Sequence, residues 1–251
     1  HIDGILAGMV DRFGDRPHGA RMKSLADAFE AVAKKFPKDD EAQIFYALYL
    51  TATQSPTDKT FADTLKAAQI LEPQFKKHPH HPGVAHYLIH SYDYPPIAEK
   101  GLDAARRYAE IAPSAPHALH MPSHIFTRVG YWKESIASNS VSQRAAKEAG
   151  DHHDQLHSMD YLVYAYLQLG QDKDALSVVT EIEALRPDPD GFPAAFAQAA
   201  APARYMVERG DWNGAANLEV KPSKFPHAMA ITHFARAIGA ARTGKIDSAK
   251  A

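Results

Sequence analysis

The chain has 251 residues, 45% hydrophobic and 23% charged, the make-up of a folded globular protein. Its formal net charge of −2 gives no global pull toward nucleic acid or an anionic membrane, and no apolar run reaches the roughly 20 residues of a spanning helix. It has no cysteine, which excludes disulfides and thiolate metal sites.

Apolar residues at helical spacing predict helices, in chain order, near 20–36, 40–54, 59–72, 83–93 and 100–112. They continue near 121–129, 132–148, 153–169, 172–185, 193–209, 212–218, 227–243 and from 246 onward. Pro37, Pro73, Pro113, Pro187 and Pro222 are expected to close several of these units, because proline cannot continue a helix. Alternating strand patterns with Asn-Gly turns are missing, so the class is all-α. The sequence carries no flexible linker and reads as one domain over 1–251, with 187–193 a loop between units. It starts at His1 and stops at Ala251 within a helical pattern, which reads as truncation at both ends. A soluble protein is expected, cytoplasmic or exported to a periplasm.

A local pattern recurs. Gly130, Gly170, Gly210 and Gly244 each follow one apolar helical stretch and precede another, at intervals of 40, 40 and 34 residues. Such a period means stacked supersecondary units. Each glycine permits a tight turn, and a small residue follows it: Ser135, Ala175 and Ala215 at five positions, Ser248 at four.

The segment Leu169-Gly170-Gln-Asp-Lys-Asp-Ala175-Leu176, running on to Arg186-Pro187, resembles the tetratricopeptide repeat family, whose frame is Leu-Gly…Ala-Leu…Pro. The likeness extends from about residue 20 to the end. The unit at 82–112 departs from it, with Tyr94-Pro95-Pro96 where the turn glycine belongs. The resemblance implies a right-handed superhelix of stacked antiparallel hairpins, an α-solenoid whose first helices line a concave surface. It also implies a peptide, a protein segment or a small ligand as partner in that groove.

Most of the 15 histidines lie between 78 and 157. His86 and His90, His120 and His124, and His153 and His157 are each four apart, so each pair shares one helix face at metal-ligand spacing. His86 to His120 and His90 to His124 are both 34 apart, the repeat's own period. Counted back from the turn glycines, His117 matches His157, His120 matches Asp160 and His124 matches Tyr164. The candidate metal ligands are His86, His90, His120 and His124. Asp93, His117, His157 and Asp160 are alternative ligands or partners of the ligands. Tyr87, Tyr94, Arg128, Tyr161 and Tyr164 are candidate groove-lining residues. His78, His80 and His81 fall in a Pro-rich loop, with His81 placed to start a helix.

Imidazole with carboxylate suits zinc, copper, iron or nickel. His-Glu-x-x-His is absent, residues 87 and 121 being Tyr and Met, and Ser123 has no nucleophile elbow. No catalytic residue is named. The segments 81–93 and 117–130 also resemble a group of bacterial tetratricopeptide-type proteins with such His-rich helices, a likeness that supports the fold and leaves the chemistry open. The sequence thus points to a binding scaffold with a His-rich groove for a divalent metal and a peptide or small ligand. The alternative is a metal-dependent hydrolytic or oxidative enzyme on the same scaffold.

Overall fold

The structure, a computed structural model, describes residues 17–185 and 191–250. Every regular element among them is a helix, and packing groups the chain into two compact units, His1–Ala112 and Pro113–Ala251. Each is taken by itself.

The first unit contains α1 (His18–Lys35), α2 (Asp40–Thr51), α3 (Ala62–Lys77), α4 (Pro82–Tyr92), a 3-10 turn at Ala98–Gly101, and α5 (Leu102–Ile111). Each helix packs on the next, and α2 also packs on α4. Phe29, Ile44, Leu71, Val84 and Ile89 are buried in its core. The start of α4 is set locally. Pro82 has its φ fixed for a first helical turn, and His81 Nδ1 accepts from the Val84 N–H at 3.2 Å. His81 Nε2 lies 2.9 Å from Glu41. His78 is likewise engaged, with Nε2 at 2.9 Å from Asp40.

Pro73 does not close its helix as the sequence suggests; it sits inside α3, which continues to Lys77. One proline removes a single backbone bond, and Phe75, buried beyond it, holds the last turn against the core. Pro37 and Pro113 do fall just outside helix ends. Arg186 and Pro187, the end of the tetratricopeptide-like segment, lie outside the described residues.

The second unit holds α6 (Pro116–His120), α7 (Pro122–Val129), α8 (Trp132–Ala149), α9 (His152–Gln168), α10 (Asp172–Ala184), α11 (Phe192–Arg209), α12 (Trp212–Ala216), α13 (Pro226–Arg242) and α14 (Ile246–Lys250). The four turn glycines are all left-handed, with φ of 77, 68, 69 and 77°. At Gly130 this lets Tyr131 N–H reach back to the Phe126 carbonyl at 2.8 Å, closing the helix end. The same long-range cap recurs after Gly170, Gly210 and Gly244.

The result is a row of hairpins: α7–α8, α9–α10, α11–α12 and α13–α14. First helices pack on first helices, α9 on α11 and α11 on α13. That neighbour-to-neighbour pattern belongs to repeat architectures. The small residues after each turn are buried at Ser135, Ala175 and Ala215. Ser248 is exposed instead, and Ala249, five past Gly244, is the half-buried one. The helical offset is therefore five at every turn. The core between α9, α10 and α11 is built from Leu156, Met159, Val163, Ala175, Val179, Ile182, Ala197 and Ala201.

Candidate metal centre

The centre forms where α6 runs into α7. Pro122 lacks an N–H and splits the two helices, so the short α6 was not anticipated from sequence. Met121 nonetheless keeps helical dihedrals, φ −51° and ψ −37°. The backbone path is helical straight through, and His120 and His124 stay one turn apart. Their Nε2 atoms lie 3.1 Å from each other. From α9, His157 brings its ring centroid to 4.2 Å from His120 and 6.1 Å from His124. The three imidazoles offer ring nitrogens within 4.8 Å of one another.

The protonation of His120 follows from its partners. Asn139 donates through Nδ2 to the Ser135 carbonyl at 2.8 Å, which turns Oδ1 toward His120 Nδ1 at 2.6 Å. An amide oxygen only accepts, so His120 carries its proton on Nδ1 and presents the Nε2 lone pair to His124 and His157. Ser123 also donates to Asn139 Oδ1, at 3.3 Å, a structural role for that hydroxyl.

His120 is 1% exposed, and burial, then the neighbouring imidazoles, drives its pKa well below the ordinary value. Burial and the nearby His124 lower that of His157 to about 3. Both rings are therefore neutral at physiological pH, with lone pairs available for coordination. His124 Nδ1 lies 3.4 Å from the Tyr161 hydroxyl, which can donate to that nitrogen or accept from it. This leaves the His124 tautomer adjustable.

α8 fastens this corner with a stripe of small polar residues. Ser138 donates to the Leu119 carbonyl at 2.6 Å and Ser142 to the Pro116 carbonyl at 2.7 Å. Ser135, Asn139 and Ser142 are fully buried.

The other expected residues fall in several places. His117 is directed at Asp154, 4.0 Å between Nδ1 and Oδ1. His153 is exposed, so the expected His153–His157 pair does not form, and His157 turns to His120 and His124 instead. Asp160 is committed to Arg204, whose Nη1 donates to Oδ1 at 2.6 Å and to the Asp160 carbonyl at 3.3 Å. Tyr164 stands edge-on to Trp132 and carries the Arg204 guanidinium over its ring at 5.2 Å.

In the first unit, His86 and His90 bring their Nε2 atoms to 3.0 Å, and the Tyr108 hydroxyl lies 3.3 Å from His86 Nδ1. Tyr87 abuts His86, with 5.8 Å between ring centroids. Asp93 caps the end of α4, and Tyr94 packs on Phe61 at 5.0 Å.

Sequence reasoning missed Asn139 and Arg204. The signal for Asn139 was present: Ser135, Ser138, Asn139 and Ser142 recur at helical spacing, a polar stripe where an apolar one is the rule. Arg204 lies 44 residues from Asp160 and offers no local pattern. Next to the imidazoles, a pocket of about 320 Å³ is bordered by His124, His157, Tyr161 and Arg128, and walled by Phe192 and Phe196.

Fold and site together define, among the described residues, an all-helical row of repeated hairpins with a half-buried group of three imidazoles. No protein-family model and no curated protein matches the chain. Among solved structures it is similar to one described as Naa15/Naa10 bound to HypK-THB, at 14% identity and a TM-score of 0.46. That match covers 99% of this chain and 35% of the other, so the chain spans about a third of that neighbour's length.

Proposed function

We propose that the chain is a tetratricopeptide-type binding scaffold, its hairpins wound into a right-handed superhelix, and that His120, His124 and His157 hold a divalent transition metal. One observation carries the metal: three ring nitrogens within 4.8 Å of one another, on rings of which two are kept neutral by burial. Asn139 supports it by fixing the ring of His120, as carbonyls commonly do behind a metal-bound imidazole. Three imidazoles suit zinc, copper, iron or nickel. His86 and His90 offer a second, two-nitrogen position in the first unit, which two ligands alone hold more weakly.

A second reading, a metal-dependent hydrolytic or oxidative enzyme, is favoured by the pocket bordered by His124 and His157. Three protein ligands leave a coordination position for water or substrate.

The deciding measurement is elemental analysis of protein prepared without an affinity tag, before and after dialysis against each of the four ions. About one ion per chain is expected to survive dialysis. It is lost in His120→Gln and His157→Gln and kept in His90→Gln. No retained ion in the wild type ends the metal reading and leaves a scaffold whose imidazoles are bonded to one another.

A further inference from the structure

The pocket beside the imidazoles has a second chemistry that the metal reading does not use. His157, Asp160 and Tyr164 stand on one face of α9 and run about 10 Å along it, at about 1.5 Å per residue. The imidazoles occupy one end of that face. Tyr164, with Arg204 above it, occupies the other. Across the pocket α11 supplies Phe192 and Phe196 as aromatic walls. Phe192 is 40% exposed, a large apolar ring held at a surface that water covers at a cost.

Arg204 is the polar feature. It uses Nη1 alone for Asp160 and forms no bond from Nε or Nη2 to any described residue. Its side chain is only 23% exposed and borders the pocket, a poorly hydrated setting for the donors that Asp160 does not use. Burial weighs against its charge, and Asp160 outweighs that and holds the guanidinium protonated. Arg128 also borders the pocket.

We propose that this pocket binds a small aromatic carboxylate, its ring between Phe196 and the tyrosines of α9 and its carboxylate on the unused donors of Arg204. A planar guanidinium pairs with a carboxylate through parallel N–H bonds, and these are strong where water is scarce. Aromatic rings prefer the offset and edge-on contacts that Tyr161, Tyr164 and Phe196 present. The volume is at the small end for ligand pockets, which fits a single ring with a short acidic arm rather than a longer chain. The proposal rests on Arg204 and the rings, so it holds with or without an ion on the imidazoles.

The test compares 3-phenylpropionate with its neutral counterpart 3-phenylpropanol, titrated calorimetrically into chelator-treated protein and again after zinc is added back. The acid is expected to bind at about millimolar affinity or better, and about tenfold or more tighter than the alcohol. Asp160→Asn combined with Arg204→Gln removes both charges together, so no buried charge is stranded, and this variant is expected to bind acid and alcohol alike. Phe196→Ala weakens both ligands by similar factors. Equal affinity of the wild type for acid and alcohol overturns the proposal, and so does failure of both to bind at about 10 mM. Loss of zinc uptake with the acid preference intact refutes the metal reading and leaves this one standing.

Discussion

At the level of single residues, the centre depends on Asn139. Its amide bonds the Ser135 carbonyl on one side and His120 on the other, so neither ring nor amide can turn without breaking a buried bond. Asn139→Leu leaves His120 Nδ1–H without its acceptor. That costs about 1–3 kcal/mol of stability, read from the midpoint of urea unfolding, and about 10–100-fold in metal affinity, read by competition with a chromogenic chelator. Asn139→Asp restores the acceptor and is expected to recover most of the affinity.

The imidazoles also set the acid limb of stability in the metal-free protein. An unfolded histidine takes its proton near pH 6.5. In the fold, burial first and His124, His117 and His153 second hold the pKa of His157 at about 3. Between those values the unfolded chain binds the extra proton, so stability is whole above about pH 6.5 and falls as pH drops toward about 3. His157→Phe removes this linkage. Its unfolding free energy is expected to decline less steeply through that window, by up to about 1.4 kcal/mol per pH unit, as measured by denaturant titrations at stepped pH.

At the level of elements, two glycines do different work. Gly170 is left-handed, and a methyl there would meet nothing within 4 Å. Gly170→Ala therefore costs only backbone strain, about 1–2 kcal/mol. Gly239, inside α13, has no special dihedral but lies against α12. An added Cβ would fall 2.5 Å from the Ala216 nitrogen and 2.6 Å from the Trp212 carbonyl oxygen. Gly239→Val must push the two helices apart and is expected to cost about 1–3 kcal/mol or more, while Gly239→Ala costs less. Thermal unfolding of the three variants checks the order.

The contrast explains what could be read in the chain. Gly130, Gly170, Gly210 and Gly244 announce their turns because a left-handed residue ends a periodic stretch, which is a local event. Helix extents were readable for the same reason. Gly239 has no such mark, since its constraint comes from a helix more than 20 residues earlier in sequence. The end of α3 was misread at Pro73 because a tertiary anchor, Phe75, overrode a local rule.

At the level of the molecule, His120 and His124 were visible through their four-residue spacing. The third member was not separable from His153 by spacing alone, because facing directions are fixed only when α9 packs. Asp160 looked equivalent to a ligand until Arg204 claimed it. A metal held by His120, His124 and His157 touches only the second unit, and both tryptophans of the chain, Trp132 and Trp212, lie in that unit. Tryptophan fluorescence therefore reports the unfolding of the unit that carries the three imidazoles. Because unfolding separates the three nitrogens, an ion held there would bind the folded state alone and stabilise it by mass action. At free metal about 100-fold above the dissociation constant, the fluorescence-detected unfolding free energy is expected to rise by about 2.7 kcal/mol. Each further tenfold in metal adds about 1.4 kcal/mol. His120→Gln should show no dependence on metal concentration, whereas His86→Gln should follow the wild type. A rise that persists undiminished in His120→Gln would place the ion elsewhere.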